Sequence, residues 1–194
     1  MTIYELIEKF VMLASTCILF LLGCTNSSRI DEFAQTLVSR PIKIPYEQLD
    51  MRLCSHFPDT IISNKSLRII NYIDSLDCQS CKMMGYVKYE KLYGTDKRFS
   101  SVEFVYIVST TMELEESLYE TFCNSRVDGI VFFDTCKAFI QANPQIPEHP
   151  LFHTFVLNDM DSVVLVGDPF KNEKMRNLLL KVIDNEKQKK QKNK

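Results

Sequence analysis

The sequence predicts an α/β domain in which a central mixed β-sheet is flanked by helices. Two observations support this prediction. The β-branched runs 67–74 and 101–109 enclose a stretch of helix-forming residues, which is the pattern of two parallel strands joined by a right-handed helical crossover. Further along, the apolar runs 152–157 and 162–166 are separated only by the polar residues 158–161, which is the pattern of an antiparallel hairpin.

The first elements are predicted ahead of this core. Residues 40–45 alternate in polarity and lie between two prolines, which favours an edge strand because proline cannot donate to a sheet. Residues 48–56 can return as its partner, with Cys54 on it. We therefore expect an N-terminal β-hairpin extension of the sheet.

The most informative motif is Cys78-Gln-Ser-Cys81, a Cys-x-x-Cys placed where the strand 67–74 ends and a helix over 79–93 begins. At a helix N-terminus the free backbone N–H groups and the helix dipole stabilise a thiolate. The thiolate is the form of cysteine that attacks a disulfide. Cys81 lies three residues after Cys78 and can close a small ring with it. The arrangement predicts a redox site.

The later elements follow from capping and periodicity. Thr110 and Glu113 form a capping-box pattern ahead of a helix, and Gly129 to Asp134 is a short apolar strand. A short helix with Cys136 and Phe139 follows, and a final helix begins after Pro169. Six side chains are expected to be buried at the sheet centre: Ile69, Ile70, Tyr72, Phe104, Val105 and Ile107.

Other uses of a Cys-x-x-Cys are weighed against the redox site. A zinc knuckle needs two further ligands at defined spacing, and the remaining Cys and His residues are scattered. Covalent haem attachment needs a His directly after the second Cys, and that residue is Lys82. No flavin or nicotinamide motif is present, so no cofactor and no metal is predicted. A purely structural disulfide remains the main alternative.

The N-terminus predicts the compartment. Phe10 to Leu22 are thirteen apolar residues, too few to span a bilayer, which needs about 20, but typical of the central region of a signal peptide. The following Leu21-Leu-Gly-Cys24 resembles the lipobox of bacterial lipoproteins. In that family the chain is cut before the Cys, which is then acylated. The resemblance implies a signal peptide over 1–23, lipidation at Cys24 and a membrane anchor facing the periplasm or cell surface.

Composition places limits on the rest of the chain. The net charge is −2, so no general affinity for nucleic acid is expected. Residues 24–39 are predicted to be a tether and 40–185 a single domain. Residues 186–194 are predicted to be a basic tail, either a solvated helix end or a disordered segment. Beyond Cys24, five cysteines remain, an odd number that leaves at least one thiol free or bound to another molecule. Cys54, Cys123 and Cys136 are expected to be packed away and not bonded to Cys78 or Cys81.

The predicted order of elements is that of the thioredoxin fold. At this point the chain resembles membrane-tethered thioredoxin-like lipoproteins of anaerobic Gram-negative bacteria, relatives of the TlpA-like thiol–disulfide oxidoreductases. The matching residues are 71–82, around the Cys-x-x-Cys, and 152–169, at the terminal hairpin, within a likeness over about 40–185. It implies a lipid-anchored thiol–disulfide oxidoreductase, either a reductase or a redox sensor. Cys78 would be the nucleophile, and Cys81, more buried, would resolve the mixed disulfide. Protein thiols or disulfides of the envelope would be the substrates, and a partner protein would donate or accept electrons.

Two positions depart from that family. Its members place a cis-proline just before the strand that faces the Cys-x-x-Cys, and that position is expected to fall on Phe152, with Pro150 two residues earlier. Asp77 precedes Cys78 where an aromatic residue is usual, and its charge opposes a thiolate, whereas Lys82 favours one. A non-enzymatic binding protein with a structural disulfide is the alternative function. A peroxidase of related fold is a third hypothesis. It is weakened because Cys78 lacks a peroxidatic motif.

Overall fold

The computed structural model describes residues 29–52, 65–93, 96–125 and 130–192. Residues 29–38 form a helix, α1. Of the described residues, those up to Thr36 belong to one compact unit and those from Leu37 onward to a second one. The second unit contains the sheet and the Cys-x-x-Cys. The lipobox at Leu21 to Cys24, and Cys54, lie outside the described residues.

The second unit is built on a six-stranded sheet of order β1-β4-β3-β2-β5-β6. β2, β3 and β4 run parallel to one another, while β1, β5 and β6 pair antiparallel with their neighbours. The sheet is therefore mixed, as predicted. Its strands are β1 (Asp50–Arg52), β2 (Leu67–Ile73), β3 (Val102–Ser109), β4 (Ile130–Asp134), β5 (Thr154–Leu157) and β6 (Val163–Val166).

Helices connect and cover these strands: α2 (Gln79–Tyr93), α3 (Met112–Asn124), α4 (Ala138–Ala142) and α5 (Glu173–Lys192). α2 joins β2 to β3 and α3 joins β3 to β4, so both parallel connections are helical crossovers. The final hairpin β5–β6 and the helix after it complete a thioredoxin-like fold, which confirms that prediction. α5 continues through the basic segment to Lys192, so the predicted basic tail forms the last turns of a helix, one of the two forms expected for it.

The core lies against the central strands. All eight residues of β3 are buried, as expected for a central strand that is covered on both faces. A second apolar layer comes from α2, α3 and α5, through Met83, Phe122, Leu179 and Ile183. The six side chains predicted at the sheet centre are all at most 6% exposed, which confirms the core: Ile69, Ile70, Tyr72, Phe104, Val105 and Ile107.

Phe170 is the centre of an aromatic cluster at the far end of α2 from the Cys-x-x-Cys. Its ring stacks on Tyr93 with centroids 4.6 Å apart and on Phe104 at 5.7 Å. The ring centroids of Phe99 and Tyr89 lie 5.6 Å and 5.9 Å from that of Phe170 and complete the cluster. Phe170 is 4% exposed, so this single side chain connects α2, β3 and the turn before β3.

The predicted N-terminal hairpin is wrong. Residues 41–45 form no strand, and β1 pairs with β4 instead. The backbone explains the difference, because the N–H groups of this segment have other acceptors. Ile42 N donates to the carbonyl of Asp161 at 2.8 Å, and Lys43 N donates to Asn143 Oδ1 at 2.8 Å. The two bounding prolines offer no donor at all.

The predicted capping box at Thr110 is also wrong. α3 begins one residue later, with Thr111 as its N-cap and no side-chain hydrogen bond at that cap. The Thr110 hydroxyl instead donates to Gln79 Oε1 at 3.1 Å, so it connects the end of β3 to the Cys-x-x-Cys. Among the described residues, no helix has both the length and the apolar character needed to cross a membrane.

Candidate redox site

The Cys-x-x-Cys lies at the edge of the sheet where the parallel strands end. Cys78 directly precedes α2, and its carbonyl accepts a hydrogen bond from Lys82 N at 2.9 Å. Cys78 is therefore the N-cap, the residue next to the unsatisfied N–H groups of the first helical turn. This is the predicted placement, and it puts positive helix potential beside the sulfur of Cys78.

Cys78 and Cys81 form a disulfide with their Cα atoms 5.3 Å apart, within the expected range of about 4.4–6.8 Å. Both residues are exposed. Neither residue is buried, so exposure alone does not distinguish the nucleophile from the resolving cysteine. Gln79 and Met83, four residues apart, take the inward face of α2 and are buried. Cys81 is two residues from Gln79, about 200° around the helix, and so faces out.

The Gln79 side chain links the Cys-x-x-Cys to the end of strand β3 by hydrogen bonds. Its Nε2 donates to the carbonyl of Ser109 at the end of β3, and its Oε1 accepts from the Thr110 hydroxyl at 3.1 Å. All three residues are buried. The side chain between the two cysteines therefore satisfies buried polar groups and holds the first turn of α2 on the sheet.

The loop from β2 to α2 is held by carboxylates. Asp74 accepts from Leu76 N at 2.9 Å through Oδ1 and from the Tyr72 hydroxyl at 3.2 Å through Oδ2. Burial alone would raise the pKa of Asp74, but these hydrogen bonds hold it below its ordinary value. Burial, together with the Asp74 charge, raises the pKa of Tyr72. The phenol is therefore protonated near neutral pH and donates to Asp74.

The charges of Asp77 and Lys82 are paired. Lys82 Nζ lies 2.5 Å from Asp77 Oδ2, which also accepts from Asp74 N at 3.2 Å. The carboxylate that was expected to oppose a thiolate at Cys78 is thus balanced by the ammonium that was expected to favour one. Because the two charges offset each other, the helix N-terminus remains the main electrostatic influence on Cys78.

The residue directly before β5 is His153, and the expectation that Phe152 takes this place is wrong. The His153 carbonyl accepts from Tyr72 N at 2.8 Å, which continues the β2–β5 pairing by one residue. The His153 ring is 4% exposed and meets the Tyr72 ring edge-on, with centroids 5.0 Å apart. No cis peptide bond occurs among the described residues.

Burial lowers the pKa of His153, and the nearby Lys82 ammonium lowers it further. The Pro147 carbonyl and the carboxylates of Asp74 and Asp77 act in the opposite direction without overcoming burial. His153 is therefore neutral near pH 7. The pKa of His153 is therefore affected by charged residues on both sides of the Cys-x-x-Cys, because Lys82 follows Cys81 and Asp77 precedes Cys78.

This buried neutral histidine predicts sensitivity to acid. Above about pH 6.5, the ordinary histidine pKa, the ring is neutral whether the chain is folded or unfolded and stability is unaffected. Below it, the unfolded chain takes up a proton that the folded chain resists, so stability falls as pH drops towards the lower folded pKa. We expect His153→Phe to lose less stability than wild type over this interval in urea titrations. Parallel pH dependence in the two proteins would contradict this.

The other cysteines do not join this pair. Cys136 is free and exposed, which corrects the expectation that it is packed away; it lies in the turn between β4 and the short helix α4. Cys123 on α3 is half-buried and disulfide-bonded. Neither is bonded to Cys78 or Cys81, as expected.

Sequence reasoning identified the two cysteines but missed Gln79 and His153. Gln79 carries a weak signal, because a polar side chain four residues before the buried Met83 shares its inward face. His153 carries almost none. Only the pairing of β5 with β2 brings it next to Tyr72, more than eighty residues earlier in the chain.

No protein-family model matches the chain, and no curated protein matches it. Solved structures do. A thioredoxin-like protein from Porphyromonas gingivalis is 11% identical over 63% of this chain and 76% of its own, with a TM-score of 0.44. StoA from Bacillus subtilis is 16% identical over 67% of this chain and 96% of its own, with a TM-score of 0.42. Peroxiredoxin Q from Xanthomonas campestris is 13% identical over 75% of this chain and 96% of its own, with a TM-score of 0.46.

Proposed function

We propose that this protein is a thiol–disulfide oxidoreductase of the thioredoxin-like type that acts through Cys78 and Cys81. The observation that carries the proposal is an exposed disulfide at the N-cap of α2. An exchange partner must reach a sulfur in line with the disulfide bond, and an exposed pair permits this. The helix N-terminus stabilises the thiolate that reduction releases at Cys78.

The chemistry needs only the two cysteines and a protein partner. In the reduced protein the Cys78 thiolate attacks a substrate disulfide and forms a mixed disulfide, releasing one substrate thiolate. Cys81 then attacks the Cys78 sulfur, closes the Cys78–Cys81 disulfide and releases the second thiolate. A donor protein restores the dithiol, and the reverse sequence oxidises substrate thiols.

The reduction potential of the Cys78–Cys81 pair tests the proposal. Known exchange catalysts lie between about −120 and −270 mV, whereas structural disulfides lie below about −300 mV. We expect this pair to equilibrate with a glutathione or dithiothreitol buffer inside the catalyst range. The matched control is Cys136→Ser, which removes the free exposed thiol and should leave the potential unchanged. A pair that stays oxidised in strong reductant contradicts the proposal.

A second function has one observation in its favour. His153 occupies the place before β5 where thioredoxin-like enzymes carry a proline that presents a backbone edge to the substrate. A binding protein with a structural Cys78–Cys81 disulfide would not need that edge. The same measurement separates the two functions, because a structural disulfide would titrate below the catalyst range.

We further propose that the chain is anchored in the cell envelope through lipid on Cys24, which its Leu21-Leu-Gly-Cys24 motif supports. The partners would then be thiols or disulfides of envelope proteins. Cys24→Ala is expected to leave the protein without lipid, which mass spectra would show, and to remove it from the membrane fraction. Cys136→Ser is the matched control and should fractionate like wild type. Identical fractionation of Cys24→Ala and wild type would refute the anchor.

A further inference from the structure

A cavity of about 420 Å³ lies on the face of the sheet opposite α2, α3 and α5, near the edge where the parallel strands begin. The alternation of side chains along β3 explains its position. Phe104 belongs to the core that packs against those helices, so its neighbours Glu103 and Val105 point to the other face and line the cavity. The Cys-x-x-Cys follows the opposite end of β2. The cavity is therefore separate from the redox pair, and its volume is within the about 300–1,000 Å³ of small-molecule sites.

Glu103 is the one deeply buried charged side chain among the described residues that line this cavity, being 9% exposed. Within the described part of the chain, its carboxylate takes part in no hydrogen bond and no ion pair. Arg68 is its register partner on β2, but the Arg68 guanidinium donates instead to Asp161 Oδ1 at 2.6 Å and to the Asn158 carbonyl at 3.0 Å. A buried carboxylate with neither a donor nor a counter-ion is costly, so Glu103 offers a strong acceptor to a ligand.

The other charges around the cavity are already paired in a way that leaves Glu103 over. Carboxylates outnumber cations among the charged residues that line it: Lys65, Arg68, Glu103, Asp159 and Asp161. Arg68 neutralises Asp161, and Lys190 Nζ lies 3.5 Å from Asp159 Oδ2. The charge that a ligand would best complement is therefore the negative charge of Glu103.

The wall beyond Glu103 is apolar. Val105 lies two residues further along β3, about 6.6 Å away, and Ile130 is its register partner on β4. Phe132 continues the wall along β4, and the Tyr46 ring meets it edge-on with centroids 5.6 Å apart. A ligand with its charge at Glu103 would thus lay an uncharged stem on apolar and aromatic side chains.

We propose that this cavity binds a small organic cation, an ammonium or guanidinium group on an apolar stem, with Glu103 as the counter-ion. A metal ion fits less well, because metal sites need several oxygen, nitrogen or sulfur ligands and the described residues contain no cluster of three such side chains. An organic cation needs only one carboxylate and uses the apolar wall as well. This binding site is additional to the proposed redox function and does not depend on it.

The test uses n-hexylammonium chloride as the probe. 1-Hexanol and sodium hexanoate carry the same stem without charge and with the opposite charge, and n-butylammonium chloride carries a shorter stem. Binding to the ¹⁵N-labelled full chain at pH 7 and constant ionic strength is followed through backbone amide shifts, which also locate the ligand. The proteins are wild type, Glu103→Gln and the matched control Glu113→Gln, which makes the same change on the exposed side of α3.

In wild type, hexylammonium should shift the amides around Glu103, Val105 and Ile130 and should bind at least tenfold more tightly than hexanol or hexanoate. Butylammonium should bind about tenfold more weakly than hexylammonium, because two buried methylene groups are lost. Glu103→Gln keeps the size of the side chain and removes its charge, so it should weaken hexylammonium binding at least tenfold. Glu113→Gln should bind like wild type.

Stability without ligand gives a second readout. Glu103→Gln should unfold at a higher urea concentration than wild type, because it removes a buried charge that has no counter-ion. A lower midpoint would identify Glu103 as a structural partner of Arg68 and would overturn the assignment.

Three binding results would also overturn it: equal affinity for the three six-carbon probes, tighter binding of hexanoate, or wild-type affinity for hexylammonium in Glu103→Gln. The first two are measured in wild type and do not require the variant to fold. None of these results bears on the redox proposal, because Cys78 and Cys81 lie at the other edge of the sheet.

Discussion

Cys81→Ser should convert the protein into a trap for its partners. Cys78 can still attack a disulfide, but no second thiol resolves the mixed disulfide, so turnover should fall by about 10³-fold or more. The trapped species should appear as higher bands on non-reducing gels that collapse on reduction. Because Cys81 is exposed and Gln79, not Cys81, holds α2 on the sheet, the substitution should leave the fold intact.

The controls for the trap are set by the other cysteines. Cys136→Ser is included throughout, because its exposed thiol can form adducts of its own. Cys78→Ser in the same background should trap nothing if Cys78 is the nucleophile. Equal trapping through Cys78→Ser and Cys81→Ser would mean that neither cysteine has a preferred role. No trapping in either variant favours the binding protein with a structural disulfide.

Phe170→Ala should give the largest loss of stability. Removing this ring takes away the stacked contacts with Tyr93 and Phe104 and leaves a cavity between α2 and β3. Large-to-small substitutions of buried aromatic residues cost about 3–5 kcal/mol, a substantial share of a typical domain's total of about 5–15 kcal/mol. We expect a correspondingly lower urea midpoint at an unchanged m-value.

A matched variant separates loss of volume from loss of aromatic contact. Phe170→Leu fills much of the space and should cost about 1–2 kcal/mol, mainly the aromatic pairing. The cluster lies at the other end of α2 from the disulfide, so the reduction potential of the folded fraction should not change in either variant. A cost below about 1 kcal/mol for Phe170→Ala would show that the cluster contributes little to stability.

The fold was predictable because its central elements have strong local signals. β2 and β3 are long β-branched runs, and their burial on both faces follows from that composition. The turn at Asn158 to Asp161 marks the last hairpin equally clearly. The N-terminal hairpin was not predictable, because the acceptors for the segment 41–45 come from Asn143 and Asp161, a hundred residues or more away.

The candidate site was predictable only in part. Spacing alone indicated that Cys78 and Cys81 could form a disulfide at the start of a helix. Whether they are exposed depends on how α2 is rotated on the sheet, and the contact of Gln79 with Ser109 and Thr110 determines that rotation. The place of His153 depends on pairing between β5 and β2. Both are tertiary contacts without a local pattern.

The sequence separation of three residues between Cys78 and Cys81 has a consequence for the denatured state. A cross-link restricts an unfolded chain in proportion to the logarithm of the loop it closes, and this loop is among the shortest that a protein disulfide makes. The chain-entropy relation gives about 2 kcal/mol, against about 4.7 kcal/mol for a loop of 100 residues. Opening the bond thus removes little conformational restraint from the unfolded ensemble. The dithiol and disulfide forms can share one native structure and interconvert repeatedly without unfolding.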